Sequence, residues 1–178
     1  MLEGKNVKLR PLEAGDLLEL KNWRNSQDLR PNFREFRPIN RNNQQEWFES
    51  LGDSDDIMFA IDKVKNNVSV ELIGCCGLTY IDWKNGNAEI SLYIGKQDGK
   101  EKIHAVEAMN ILLKYGFKDL RLHRLYVVVF EYNDKNLELV KECKFKSEGK
   151  HIDARYFDGR YHNEMLFYML EDNFKWIE

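Results

Sequence analysis

The segment Ala88-Glu89-Ile90-Ser91-Leu92-Tyr93-Ile94-Gly95-Lys96-Gln97-Asp98-Gly99-Lys100-Glu101-Lys102-Ile103-His104-Ala105-Val106-Glu107-Ala108-Met109 runs from an extended stretch through a loop into a helix. Ile90, Leu92 and Ile94 share one face at a period of two, as a strand from Ala88 to Ile94 requires. The helix is read from Lys102 to Phe117. Val106, Met109, Leu113 and Phe117 recur at spacings of 3, 4 and 4 residues, and Ala105, Ala108 and Leu112 widen the stripe. Between strand and helix, Gly95, Gly99, Lys100 and Lys102 form a place to bind phosphates. A helix start offers unpaired N–H groups and partial positive charge, and lysines add point charges. On spacing alone the loop reads equally as an ordinary connection with solvated lysines.

Working outward, Lys84-Asn85-Gly86-Asn87 supplies an Asn-Gly hairpin signal that joins this strand to a long run from Val68 to Tyr80. Ile57 to Ile61 is a short strand before a turn at Lys65-Asn66-Asn67. Val7 and Leu9 alternate with charged neighbours in a first strand closed by Pro11. Asp16 to Arg24 and Gln44 to Leu51 read as amphipathic helices with an arginine-rich loop between them. On the other side, Leu125 to Phe130 is nearly continuously apolar and predicts a strand buried on both faces. Asn133-Asp134 caps a helix through Lys141, and Phe145 to Leu170 reads as two strands around Asp158-Gly159. The order β-αα-βββ-α-β-α-ββ predicts an α+β fold, a mixed central sheet of about seven strands flanked by about four helices. No linker or repeat interrupts it, so residues 1–178 read as a single domain.

The apolar fraction of 43% over 178 residues suffices for a core without disulfide or metal. With 27 Lys+Arg against 30 Asp+Glu the net charge is -3, which disfavours a nucleic-acid binder. Cys75, Cys76 and Cys143 lack the spacing of a metal site and read as small buried hydrophobes, with no metal expected. A reducing compartment and a cytoplasmic location follow. No apolar run approaches the roughly 20 residues of a membrane span, so no membrane partner is expected.

The chain as a whole resembles the GNAT superfamily, in particular its RimJ/RimL-like branch, which acetylates protein N-termini, polyamines and amino sugars. The likeness rests on Val7-Lys8-Leu9-Arg10-Pro11-Leu12, Trp23-Arg24-Asn25, Arg34-Glu35-Phe36-Arg37-Pro38, Leu72-Ile73-Gly74, Ala88-Glu89-Ile90 and Tyr93-Ile94-Gly95. It continues through Glu107-Ala108, Leu122-His123-Arg124-Leu125, Asn133, Phe145, Glu148-Gly149 and Asp158-Gly159-Arg160-Tyr161-His162. No single string is specific; their order and spacing together are. The resemblance implies that acetyl-CoA is the co-substrate, entering a gap between strands 88–94 and 125–130. Leu92, Tyr93 and Ile94 would line its arm, Lys100, Lys102, Ile103, His104 and Ala105 its diphosphate, and Asn133 would lie alongside. The amine acceptor, a small molecule or peptide, would arrive from the opposite side near Trp23, Arg24, Arg34 and Arg37. A neutral amine would then attack the thioester directly, and a homodimer formed through exposed sheet edges is one expectation.

Two departures stand out. Ile103 occupies a position where the family has glycine, and Val140 replaces a tyrosine that protonates the leaving thiolate. Both motivate a rival reading, a catalytically degenerate domain that binds CoA or a protein partner. Candidate bases are Glu89, on the strand lining the gap, Glu131, at the end of the central strand, and His104, in the first helical turn. Glu89 reads alternatively as a sheet-surface carboxylate paired with a cation, Glu131 as facing solvent, and His104 as a solvated surface histidine, while His123 and His162 read as structural. Arg24, Arg30, Arg34, Arg37 and Arg41 suit an amino sugar on a nucleotide, or an acidic protein N-terminus, better than a polyamine. The alternative is a solvated loop with Asp28, Glu35 and Glu46 as ion-pair partners.

Overall fold

The computed structural model describes residues 2–66 and 68–175; Met1 and Asn67, the latter part of the expected turn, lie outside them. In chain order its elements are β1 (Leu2–Glu3), β2 (Val7–Pro11), α1 (Leu17–Asn25), α2 (Arg41–Ser50), β3 (Ile57–Lys65) and β4 (Val68–Asp82). There follow β5 (Asn87–Ile94), α3 (Glu101–Lys114), β6 (Arg124–Phe130), α4 (Asp134–Glu142), β7 (Lys146–Phe157) and β8 (Arg160–Leu170). The strands make one sheet of eight in the order β1-β2-β3-β4-β5-β6-β8-β7. Among the described residues only β5 and β6 run parallel. The strand beyond the expected seven is β1, two residues long and too short to show a period.

Successive side chains along a strand face opposite sides, and the adjacent cysteines of β4 show what each side meets. Cys76 joins the core that α3 and α4 cover, with Leu78, Ile90, Ala108, Leu112 and Val140. Cys75 lies on the other face, within the electrostatic reach of Arg24 of α1. All three cysteines are buried and free, and burial pushes the Cys75 and Cys143 thiols up to about 12. They serve as apolar filling, as their sequence pattern suggested.

Helix α3 carries its apolar stripe as predicted and ends in a single π-helical turn, Tyr115–Asp119, that buries Phe117. Helices α1 and α2 close the opposite face. The chain between them is tied down at both ends. Asn25 donates to Ile39 O at 2.7 Å and accepts from Ile39 N–H at 2.9 Å, and Asn40 caps α2 by exchanging hydrogen bonds with Asn43. Strand β6 departs from expectation. It buries Leu125, Val127 and Val129 but leaves Tyr126 and Val128 only half-buried, because β5 separates from it after three residues.

Trp23 of α1 packs its ring directly on Gly95, just past the end of β5. A Cβ built there would lie 1.9 Å from Trp23 Cδ2. The contact locks the first helical layer to the strand that lines the site. Gly95→Ala is therefore expected to force the indole out and lower stability by about 1–3 kcal/mol, read as a lower denaturant midpoint.

Candidate active site

The site arises where two parallel strands part. β5 and β6 pair at Asn87↔Arg124, Ala88↔Leu125 and Glu89↔Tyr126. Beyond that point β5 continues beside β4 as far as Gly74↔Ile94, while β6 continues beside β8 to Phe130↔Glu164. The wedge between them is a cavity of about 640 Å³ reached by both helical layers. Ala105, Met109, Leu139 and Val140 contribute from α3 and α4, and Arg24, Phe33 and Arg34 from the opposite face. The edge of β5 from Ile90 to Ile94 has no strand partner on this side, so its backbone groups are open to an added extended chain.

On the α3 side the loop is braced by its own carboxylates. Glu101 Oε1 accepts from Asp98 N–H at 2.6 Å and Gly99 N–H at 2.8 Å, and Asp98 Oδ1 accepts from Lys100 N–H at 3.0 Å. The first full-turn bond of α3 runs from His104 N–H to Lys100 O at 3.0 Å, so the first-turn N–H groups ahead of it lack full-turn acceptors. Ile103 lies within this regular right-handed helix with its side chain 53% exposed. A β-branched residue is at ease there, and the exchange for glycine leaves its N–H in place. Lys102 lines the cavity and reaches across to α4, 2.8 Å from Glu142 and 3.7 Å from Glu138. Lys100 and Ile103 do not line it. Asn133 does, and its side chain caps α4 through Asn136 N–H at 3.2 Å. Leu92, Tyr93, Ile94 and Ala105 line the cavity as the sequence predicted, and so does Val140, which has no proton to give.

His104 corrects its sequence reading. It is 2% exposed rather than solvated, because it stands four and seven residues before Ala108 and Ile111 on the inward face of α3. Its Nδ1 has no hydrogen-bond partner and lies 3.9 Å from Asp98 Oδ1, a carboxylate engaged by Lys63. It sits outside the cavity lining, so it is not placed to act as base there. Burial holds its pKa below the usual histidine value, with nearby Asp98 opposing.

On the other face, Glu89 is 8% exposed and receives a bidentate pair from Arg34, Nη2 to Oε1 at 2.5 Å and Nη1 to Oε2 at 3.1 Å. The main chain carrying Arg34 is stapled from the far side of the sheet. Arg155 donates to Phe33 O at 2.5 Å and Arg34 O at 3.2 Å, and Tyr132 Oη donates to Pro31 O at 2.8 Å. Arg24 lies over the Phe33 ring at 5.1 Å, and Phe33 meets Tyr93 edge-on. Arg37 is exposed and does not itself line the cavity, but it binds at 2.7 Å to Glu35, which does. Trp23 also stands outside the cavity, supporting its wall through Gly95. Glu131 is drawn away altogether. It accepts from Asn163 Nδ2 at 2.7 Å, lies 3.2 Å from His162 Nδ1, and so ties β6 to β8. His162 is buried and His123 N–H bonds Gly86 O, both structural as expected.

Several cavity residues escaped the sequence reading: Asp56, Tyr80, Gln97, Lys135 and Glu138. Tyr80 takes φ 51° where β4 bulges against β5 between Thr79 and Asp82, and its N–H donates to Asp56 at 2.9 Å. Such a backbone is uncommon for a bulky side chain and re-aims the ring. A long β-rich run carries no local mark of it.

A mixed sheet split between two parallel strands, with a helix start on one face and a buried carboxylate on the other, describes a two-substrate group-transfer enzyme. The chain belongs to the family described as "Acetyltransferase (GNAT) domain", which matches residues 6–146. It is 29% identical over 177 residues to a spermidine N(1)-acetyltransferase of Vibrio cholerae, covering 93% of this chain and 94% of that one. It is 33% identical over 100 residues to the putative ribosomal N-acetyltransferase YdaF of Bacillus subtilis, covering 56% and 53%. Among solved structures it resembles the spermidine N-acetyltransferase from Vibrio cholerae in complex with CoA and spermine. That match has TM-score 0.82 and 26% identity over 96% of this chain and 98% of that one. The expected α+β fold, and an acetyl-CoA-dependent N-acetyltransferase as its activity, are thereby borne out. No helix among the described residues is long and apolar enough to cross a membrane.

His104 also sets a pH dependence. A folded pKa below the unfolded value near 6.5 means that the folded state binds fewer protons. The stability this contributes is full above pH 6.5 and is lost as pH falls toward the folded value. The melting temperature is expected to drop between pH 7 and pH 5, and His104→Leu should flatten that slope.

Proposed function

We propose that this chain transfers the acetyl group of acetyl-CoA directly to a primary amine of a polyamine. The observation that carries the acceptor class is the pairing of buried Glu89 with a cationic side chain at the inner end of the acceptor half of the cleft. A carboxylate in that setting selects positive charge. Two of the arginines that favoured an anionic carrier are engaged, Arg34 by Glu89 and Arg37 by Glu35, while Arg24 lies over the Phe33 ring in the cavity lining. The named activity of the Vibrio cholerae relative supports the same acceptor class.

The residues present fit the co-substrate. The open edge at Leu92, Tyr93 and Ile94 suits a pantetheine arm, the first-turn N–H groups of α3 with Lys102 suit a diphosphate, and Ala105 leaves room beside it. When bound, acetyl-CoA supplies an activated thioester carbonyl. Glu89, directly or through a water, takes a proton from the acceptor ammonium. The freed amine nitrogen bonds to the carbonyl carbon, the carbon–sulfur bond breaks, and the nitrogen gives up its second proton. That proton passes through water to the thiolate, which leaves as a thiol, because Val140 has none to give.

A second reading, acetylation of a protein N-terminus within the RimJ/RimL-like branch, is favoured by the likeness to YdaF. The two separate in one assay: CoA thiol release from acetyl-CoA with spermidine, an amino sugar or an N-terminal peptide as acceptor. Turnover with spermidine is expected. Preference for the sugar or peptide would replace the acceptor class. Calorimetric binding of acetyl-CoA without release to any amine would establish the degenerate reading instead. Within the active protein, Glu89→Gln should lower kcat by about 10²–10⁴-fold and leave the acetyl-CoA KM close to wild type. Lys102→Ala should raise the acetyl-CoA KM by about threefold to fivefold, a surface-charge effect that fades at high salt.

A further inference from the structure

We propose that Arg34 is an internal substitute for the acceptor's ammonium group. It occupies Glu89 while the acceptor half of the cleft is empty, and the incoming cation displaces it. The proposal rests on the polyamine reading above and adds the residue that sets its selectivity.

Three observations carry it. The first is the contrast within the pair: the Arg34 side chain is 46% exposed, that of Glu89 11%. The guanidinium thus closes the solvent side of a carboxylate that would otherwise be buried alone, an arrangement strongly disfavoured in a protein interior. Being half in water, the arginine can leave at little desolvation cost, whereas Glu89 is fixed within a paired strand. The second is that motion is confined to the side chain. Arg155 holds the carbonyls of Phe33 and Arg34 from β7, and Tyr132 holds that of Pro31. The loop therefore stays in place when the guanidinium lets go. The third is that a displaced arginine has somewhere to rest. The Tyr80 ring already lies 5.9 Å from its guanidinium carbon, and Glu164 is within electrostatic range.

The exchange filters acceptors by charge. A neutral or anionic amine carrier cannot replace a guanidinium on Glu89, whereas an alkylammonium restores the same pairing and brings a transferable nitrogen. Occupancy by Arg34 weakens apparent acceptor binding by the fraction of time that Glu89 is free, so removing the competitor strengthens it.

The test uses the full chain with Arg34→Ala, Arg34→Lys, Glu89→Gln and the Arg34→Ala/Glu89→Gln double variant, each checked for folding by its melting curve. Spermidine binding is measured by calorimetry, and spermidine KM and kcat are measured at saturating acetyl-CoA. Arg34→Ala is expected to tighten spermidine binding and lower its KM by about fivefold or more, with Arg34→Lys intermediate. In the Glu89→Gln background the same change should leave binding where it was. A raised KM in Arg34→Ala would show that Arg34 binds substrate and would overturn the proposal. An unmoved KM, or an equal gain in the Glu89→Gln background, would overturn it too, leaving polyamine acetylation intact. Wild-type turnover restricted to a neutral or anionic acceptor would remove the function reading and the exchange together.

Discussion

Between Glu89 and Tyr126 the sheet stops being continuous, and nearly everything else in the molecule accommodates that break. Two parallel strands that pair over three residues and then part leave backbone donors and acceptors exposed in the middle of a folded domain, where unpaired groups are costly. The break persists because each strand has a full partner on its other side, β4 for β5 and β8 for β6. The helical layers then cover the flanks of the wedge without filling it. Trp23 on Gly95 and the Arg155 and Tyr132 staples work to the same end, holding the upper layer against strands that would be free to close.

Charge is arranged differently on the two faces. On the α3 side positive potential comes from a helix start and Lys102, but carboxylates crowd in: Asp98 and Glu101 organise the loop, and Glu138 and Glu142 restrain the lysine. The loop is shaped before any anion arrives, so little ordering remains to be done on binding. On the other face a carboxylate is buried and an arginine balances it. In each half of the cleft the charges of the two signs come close to balancing, with acidic and basic side chains set side by side.

Local pattern conveyed the parts built from local rules. The strand-loop-helix at 88–109, the hairpin at Gly86 with φ 65°, and the inward stripe of α3 all appear in the sequence because period and turn chemistry produce them. What escaped depends on partners far along the chain. Glu131 looked like a cleft residue because it ends the central strand, yet Asn163 and His162 of a strand formed thirty residues later take it. Arg34 and Glu89 meet across 55 residues, which turned an apparent anion-binding arginine into a counter-ion. His104 went astray because its place in the first turn suggested solvent, although it precedes Ala108 and Ile111 of the inward stripe by four and seven residues. The resemblance to a family carried the gap between the strands at 88–94 and 125–130, which no periodicity contains and which the structure shows as the wedge.

The geometry of the wedge has a consequence for how such a protein changes over time. One side of the cavity is made by β5, α3 and α4, and the other by Arg24, the segment from Leu29 to Glu35 and one face of the sheet. Because the two sides meet along the strand edge, the segment from Leu29 to Glu35 can change its side chains without touching α3 or α4. A lineage can therefore sample new acceptors while it keeps its acyl donor.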